Sequence, residues 1–268
     1  MLTKRVISCL DVRDGKLAKS IQFQGTIDIG DPVEKAREYY EAGLDELVFY
    51  DITASHEGRG IMLEVVRRVA EQVFIPFSVG GGLKSASDGG RVIEAGAEKV
   101  NYNSGAVERP EVLSEAARAF GVQAVVLSMD VLRSAPSLKV PSGFEVVTHG
   151  GRQRRGIDAI EWARRAEQLG AGEIVVNSID ADGTRQGYDV ALTRQIADAV
   201  SLPVIASGGG GSCEHLREVL REGHADAALV ASMLHYGSHT VAEIKSYLSQ
   251  HGLAIRSSPP AFPSPRAK

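Results

Sequence analysis

Cysteine is scarce in this chain: Cys9 and Cys213 are its only two in 268 residues. They form neither a Cys-x-x-Cys nor a zinc spacing, which excludes a metal ribbon and a disulfide scaffold. An excess of positive charge is missing as well. Lys plus Arg number 30 against 34 Asp plus Glu, a formal net charge of −4, whereas general nucleic-acid binders are usually basic. No apolar run reaches the roughly 18 residues of a membrane span. The start, Met1-Leu2-Thr3-Lys4-Arg5, leads into no long apolar region, so no signal peptide is expected. Neither His-Glu-x-x-His nor Gly-x-x-x-x-Gly-Lys-Ser/Thr occurs, which argues against a zinc protease and an NTPase. The expectation is a cytoplasmic enzyme that needs neither metal nor membrane. With 43% hydrophobic residues, the chain holds one large core or two small ones.

What is present is alternation. Eight β-rich runs recur: Arg5–Leu10, Leu47–Asp51, Pro76–Val79, Lys99–Asn103, Ala124–Asp130, Ile174–Asp180, Pro203–Ser207 and Ala227–Ser232. Most are continuously apolar, as parallel strands buried on both faces are. Helical patterns lie between them at Val33–Ala42, Met62–Gln72, Pro110–Ala119, Ile157–Leu169 and Leu192–Val200. In the last, Leu192, Ile196 and Val200 form one helix stripe. Gly43, Gly96, Gly121, Gly170 and Gly223 stand where helices should end in a left-handed residue. Eight such units predict an α/β fold, a single (β/α)8 barrel over residues 1–256. A doubly wound sheet would want Gly-x-Gly-x-x-Gly after its first strand. Here the first run continues as Asp11-Val12-Arg13-Asp14-Gly15.

The halves resemble each other. Leu47–Asp51 parallels Ile174–Asp180, Ile75–Gly82 parallels Leu202–Gly210, and Ala97–Ser104 parallels Ala225–Ser232. Gly80 to Ser104 and Gly208 to Ser232 are both 24 residues apart. This reads as a duplicated half-barrel. The period is far too long for a solenoid. Leu132–Arg155 breaks the alternation and reads as a long loop, with Phe144–Thr148 one arm of a small hairpin. Residues 257–268, rich in proline, read as a disordered tail.

In such barrels the chemistry sits at the C-terminal strand ends. The runs end at Asp11, Asp51, Gly80–Gly82, Asn103-Ser104, Asp130, Asp180 with Asp182 beyond it, Gly208–Gly211 and Ser232. Glycine turns bring backbone N–H groups close to an anion. One phosphate site is expected at Gly209, Gly210 and Ser232 with Gly183, and a related one at Gly81, Gly82, Asn103 and Ser104. The pair implies a small molecule with a phosphate at each end. Either glycine run alone would serve a tight turn equally well. Asp11 and Asp182 lie on roughly opposite strands, as an acid and a base must flank a reacting centre. Capping a helix or holding a loop stays open for these aspartates. His149 and His235 read as ordinary polar residues. Cys9 and Trp162 read as core, Cys213 as a helix start and Arg152–Arg155 as a solvated loop.

These residues resemble the cyclase subunits of imidazole glycerol phosphate synthase. The resemblance rests on Cys9-Leu10-Asp11-Val12, Asp51-Ile52-Thr53-Ala54-Ser55, Val79–Gly82, Ser178–Thr184, Gly187-Tyr188-Asp189 and Ala206–Gly209, over about residues 1–256. The related isomerase shares the repeat and the two phosphate sites, but typically has Asp-Leu-Asp-Gly-Ala where Asp51–Ser55 stands. The resemblance implies that ammonia attacks phosphoribulosyl-formimino-AICAR-phosphate (PRFAR) to give imidazole glycerol phosphate and AICAR, with no cofactor. It assigns acid–base work to Asp11 and Asp182, a closing role to Lys19 and support to Asp130. It assigns the phosphates to Gly82, Asn103 and Ser104, and to Gly183, Gly209 and Ser232. It also implies a separate glutaminase subunit, in a heterodimer, on the opposite face, with a charged ring of Arg5, Glu46, Lys99 and Glu173.

The chain departs from the family in places. Gly210 replaces an alanine, Leu132 replaces a lysine, Ser134–Gly143 is longer, His224 is a one-residue insertion, and the tail has no counterpart. Two other functions stay open: an isomerase-like paralogue acting on a similar bisphosphate, and a non-catalytic subunit that activates a glutaminase.

Overall fold

A computed structural model describes residues 3–21, 24–52 and 63–256. Thr53–Ser55 of the quoted motif, the start of the second expected helix and the tail at 257–268 lie outside them.

Among the described residues, twelve strands form one sheet system. Eight are parallel and close into a barrel: β1 (Arg5–Arg13), β4 (Glu46–Asp51), β5 (Phe77–Gly80), β6 (Lys99–Tyr102), β7 (Val125–Arg133), β10 (Glu173–Ser178), β11 (Val204–Ser207) and β12 (Ala227–Val230). The β7–β10 pairing closes the ring. The eight expected runs are these eight strands. Helices α1 (Pro32–Glu41), α2 (Leu63–Ala70), α3 (Ala86–Glu94), α4 (Ser104–Glu108), α5 (Glu111–Phe120), α6 (Ala159–Leu169), α7 (Val190–Ala197), α8 (Cys213–Arg221), α9 (Ser232–His235) and α10 (Val241–Gln250) lie between and after them. Strand residues alternate between two cores. Val6, Leu10, Leu47 and Phe77 pack outward against the helices. Ile7, Cys9, Val48, Val126, Val175, Ile205, Ala227 and Leu229 fill the barrel interior, as in a packed barrel rather than a pore.

The helices start where side chains supply the missing hydrogen bonds. Asp31 caps α1, Asp158 caps α6 and Asp189 caps α7. Ser85 and Ser212, at equivalent places in the two halves, cap α3 and α8. Gly43, Gly96, Gly121 and Gly170 have positive φ, as expected of helix ends. Gly223 does not; the left-handed residue there is the inserted His224, with φ 56°. Its Nδ1 lies 2.6 Å from Asp198 Oδ1.

The duplication is written in the strand register. Ile7 pairs with Glu46 as Val126 pairs with Glu173, and Leu47 pairs with Phe77 as Ile174 with Val204. Val6 pairs with Ala228 as Val125 with Val100. By this register Asp11 matches Asp130, since they pair with Tyr50 and Asn177. The same register matches Asp51 to Ser178 and Gly80 to Ser207. The sequence alignment of Asp51 with Asp180 and Gly80 with Gly208 was therefore shifted by two residues and by one.

Two antiparallel excursions interrupt the alternation. After β1 the chain turns at Asp14 and Gly15, both left-handed at φ 50° and 79°, into β2 (Lys16–Ile21) and β3 (Gln24–Gly30). Asp-Gly is a strong signal for such a two-residue hairpin. After β7, β8 (Phe144–Thr148) pairs antiparallel with Asp130–Arg133, and β9 (Gln153–Asp158) pairs with β8. The expected loop thus contains the hairpin, and β8 has two partners.

Candidate active site

The C-terminal ends of the barrel strands enclose a cavity of about 230 Å³. Asp11, Asp130, Asp182, Gly82, Asn103 and Ser104 all line it. Asp11 stands on β1, where the Cys9 thiol donates to its Oδ1 at 3.3 Å. Asp182 follows β10 in a turn fixed by its N–H donating to Ser178 O at 2.9 Å. Asp130, at the matching level on β7, is more fully buried. Its two oxygens accept from Asn177 Nδ2 and Asn103 Nδ2, each at 2.9 Å. Burial raises the Asp130 carboxyl above the usual range, against the lowering effect of those two amides. The three carboxyl groups thus occupy distinct environments, which suits a site that separates acid from base.

Below them the interior is polar. Tyr50 Oη and Ser128 Oγ lie 2.8 Å apart, and Asn101 Nδ2 donates to Ser78 Oγ at 3.1 Å. Asp51 is buried at the cavity wall. Asp180 instead accepts the Arg133 N–H at 2.7 Å, so it holds the end of β7.

The glycine turns are tight for a definite reason. A Cβ on Gly81 would meet Asp51 O at 2.3 Å, and one on Gly208 would meet Ser178 O at 2.6 Å. These are equivalent contacts in the two halves, and both glycines have positive φ. Gly209 has φ 96°, and a Cβ there would lie 2.0 Å from Gly187 O. At Gly210 a methyl would lie 2.5 Å from Tyr188 Oη, whose hydroxyl donates to Leu229 O; glycine leaves that bond room. Gly183, Gly209 and Ser232 do not line the cavity, where Ser207 and Ala231 stand instead. The backbone of Lys19 lies in β2, not in an irregular loop, opposite Ile27; its side chain lies outside what is described.

One cavity residue reads from the sequence only as an ordinary polar group. His149, in the β8–β9 turn, lines the mouth with Gly150. Its backbone is left-handed at φ 56°, and its N–H donates to Ser104 Oγ at 3.0 Å. Thr-His-Gly-Gly is a turn signal, but nothing local shows that the turn folds back over β6. Cys213 begins α8 and Trp162 is buried, both as expected.

At the other end of the barrel a four-membered ring closes the interior. Arg5 donates to Glu46 at 2.6 Å and to Glu173, and Lys99 donates to Glu46 at 2.7 Å and to Glu173 at 2.8 Å. Burial opposes charge on Arg5 and Lys99, but the two glutamates outweigh it and hold both pKa values above the ordinary ones. Burial raises Glu46, with the Glu173 charge adding to it and Lys99 and Arg5 opposing. Among the described residues no group of three or more His, Cys, Asp or Glu is placed to hold a metal, and no helix is long and apolar enough to cross a membrane.

Fold and site together define a (β/α)8-barrel with a carboxylate-rich, glycine-turned mouth, the build of a barrel enzyme. Residues 5–240 match the family model described as histidine biosynthesis protein. The chain is 62% identical over 256 residues to imidazole glycerol phosphate synthase subunit HisF of Desulfatibacillum aliphaticivorans, covering 96% of this chain and 98% of that one. It is 59% identical to the protein of the same name from Oleidesulfovibrio alaskensis, and 60% identical to that from Desulfosudis oleivorans. Each covers 96% of this chain and 99% of the relative. The chain belongs to the family of imidazole glycerol phosphate synthase cyclase subunits, enzymes of histidine biosynthesis.

Proposed function

We infer that residues 1–256 form one cyclase domain that converts PRFAR and ammonia to imidazole glycerol phosphate and AICAR. The observation that carries this reading is one cavity shared by Asp11, Asp130, Asp182 and the Gly82–Asn103–Ser104 cradle. Ring closure around ammonia needs a proton removed from the attacking nitrogen and one delivered to the departing amine. Asp11 and Asp182 flank the cavity and divide those tasks. Asp130 supports them, tied through its amide partners to Asn103. Lys19, on the β1–β2–β3 excursion, closes over bound substrate. One terminal phosphate sits at Gly82, Asn103 and Ser104, the other at Gly183, Gly209 and Ser232 beyond the cavity wall. No cofactor takes part.

Ammonia comes from a separate glutaminase subunit, which docks at the face where β1, β4, β6 and β10 begin and forms a heterodimer with this chain. The ring of Arg5, Glu46, Lys99 and Glu173 gates entry to the barrel. Such a ring at a closed end is supported by its burial: Glu46 and Glu173 are 2% and 5% exposed, too little for ordinary surface pairs.

The test is turnover of PRFAR by the purified chain with an ammonium salt and no partner, beside Asp11→Asn. Formation of imidazole glycerol phosphate and AICAR, lost in the variant, is the expected result. Binding of PRFAR without product would overturn the reading.

A further inference from the structure

The β8–β9 turn places an imidazole at the rim of the first phosphate cradle. His149 Nδ1 lies 3.2 Å from Thr148 Oγ1, and Thr148 is fully buried. With the threonine hydroxyl donating to Nδ1, Nε2 carries the proton in either charge state. Nε2 lies 3.7 Å from Glu108 Oε1. That separation allows attraction but is too long for a hydrogen bond. Ser104 Oγ accepts the His149 N–H, which leaves the serine O–H free to donate to an anion. Lys84 also lines the cavity, and its backbone packs beside Gly105, next to Ser104. The second half has Gly211 at the position of Lys84, by the register that matches Gly80 to Ser207. Among the described cavity residues Lys84 is the one lysine or arginine.

The backbone adds an independent observation. Non-glycine residues rarely hold φ near 56°, and histidine is among those that tolerate it better. The turn holds three successive left-handed residues, His149, Gly150 and Gly151. A glycine at 149 would relax the backbone, so the imidazole is kept at some conformational cost.

We propose that His149 is a specificity-determining residue, whose Nε2–H binds the substrate phosphate cradled by Gly82, Asn103 and Ser104, with Lys84 beside that cradle and Glu108 competing for the imidazole. This rests on the bisphosphate reading above and deepens it. A phosphate dianion carries more charge than the carboxylate and accepts strong charge-assisted bonds. On binding it outcompetes the more distant Glu108 carboxylate for the Nε2–H.

The experiment is steady-state turnover of PRFAR by the full chain with an ammonium salt, for the unsubstituted protein, His149→Gly, His149→Asn and Glu108→Gln. His149→Gly relaxes the turn while deleting the donor, so its melting temperature should hold or rise while KM increases about tenfold or more, the worth of one hydrogen bond to a charged group. His149→Asn keeps a donor on a residue that tolerates the left-handed region and should recover part of that KM. Glu108→Gln should lower KM. In 15N-histidine spectra, the Nε2 resonance of His149 should move when PRFAR is added. An unchanged KM in His149→Gly, or an unmoved Nε2 resonance beside normal turnover, overturns the assignment. No turnover by the unsubstituted chain overturns the underlying reading, and this inference with it.

Discussion

Glu46 and Glu173 occupy the same place in the two halves of the barrel, and each accepts from both Arg5 and Lys99. Ile7 pairs with the first and Val126 with the second. The positions that match Arg5 and Lys99 in the other half are Ala124 and Ala227. Duplication thus supplied the two anions, and one half alone supplies both cations.

Removing one cation should leave two buried carboxylates facing a single partner. Lys99→Met is expected to cost on the order of 3 kcal/mol, the usual penalty for breaking a buried pair from one side. The sign of the pH effect follows from the raised Lys99 pKa. Its stabilisation is fully present below the ordinary lysine value of 10.5 and is lost as pH rises through the higher folded value. Urea unfolding of both proteins from pH 8 to 11.5 should show their stabilities converging only at the alkaline end.

Asp130 works in the opposite sense. Burial raises its pKa, so its favourable contribution belongs to the protonated form. That contribution is present below the ordinary carboxylate value and is lost as pH rises through the folded one. Asp130→Asn should therefore stabilise the protein at neutral pH, on the order of 1 kcal/mol, while impairing turnover. The amide needs an acceptor in place of a donor. Asn103 Oδ1 is buried without a partner, and turning the Asn103 amide over presents it. Thermal melts at pH 7 and pH 4 test this: the advantage of the variant should shrink at the lower pH.

Gly209→Ala should destabilise by about 2–4 kcal/mol, because it combines left-handed backbone with a hard contact on Gly187 O. Gly237→Ala is the control. Its φ is also positive, at 65°, but nothing lies within 4 Å of the added carbon, so it should cost only about 1 kcal/mol. Chemical denaturation of both variants measures the difference.

Lys245 reaches from α10 to Asp45 Oδ1 and Gly43 O, each at 2.7 Å, and Asp45 Oδ2 accepts the Val6 N–H at 2.8 Å. Lys245→Met strands a buried carboxylate and should cost about 3–5 kcal/mol. Adding Asp45→Asn should recover part of that loss, since the charge left unpaired is then gone. A double-mutant cycle by urea unfolding reads the coupling.

The chain order of the fold was legible because period and punctuation agree. Continuous apolar runs gave the eight parallel strands, and glycines at positive φ marked four of the five expected helix ends. The acidic strand ends gave Asp11, Asp130 and Asp182. Less was legible at the mouth. The Asp14-Gly15 pair carries a hairpin signal that lies outside the pattern of apolar runs. The register of the repeat is not legible, because the glycine runs at 80–82 and 208–211 differ in length. Only strand pairing shows that Gly80 answers to Ser207.

Local sequence determined which segments are strands and helices, since burial on both faces and capping depend on neighbours a few residues away. It also determined the carboxylates and glycine turns, because each lies where a strand must end. Tertiary structure alone decided what those residues face. Ser104 and His149 meet across 45 positions, and Arg5 meets Glu173 across 168. Barrel closure between β7 and β10 and the fold-back of the β8–β9 turn set those meetings. The physical reason is that pattern fixes which face of an element is buried, while register and closure fix which residue lies opposite.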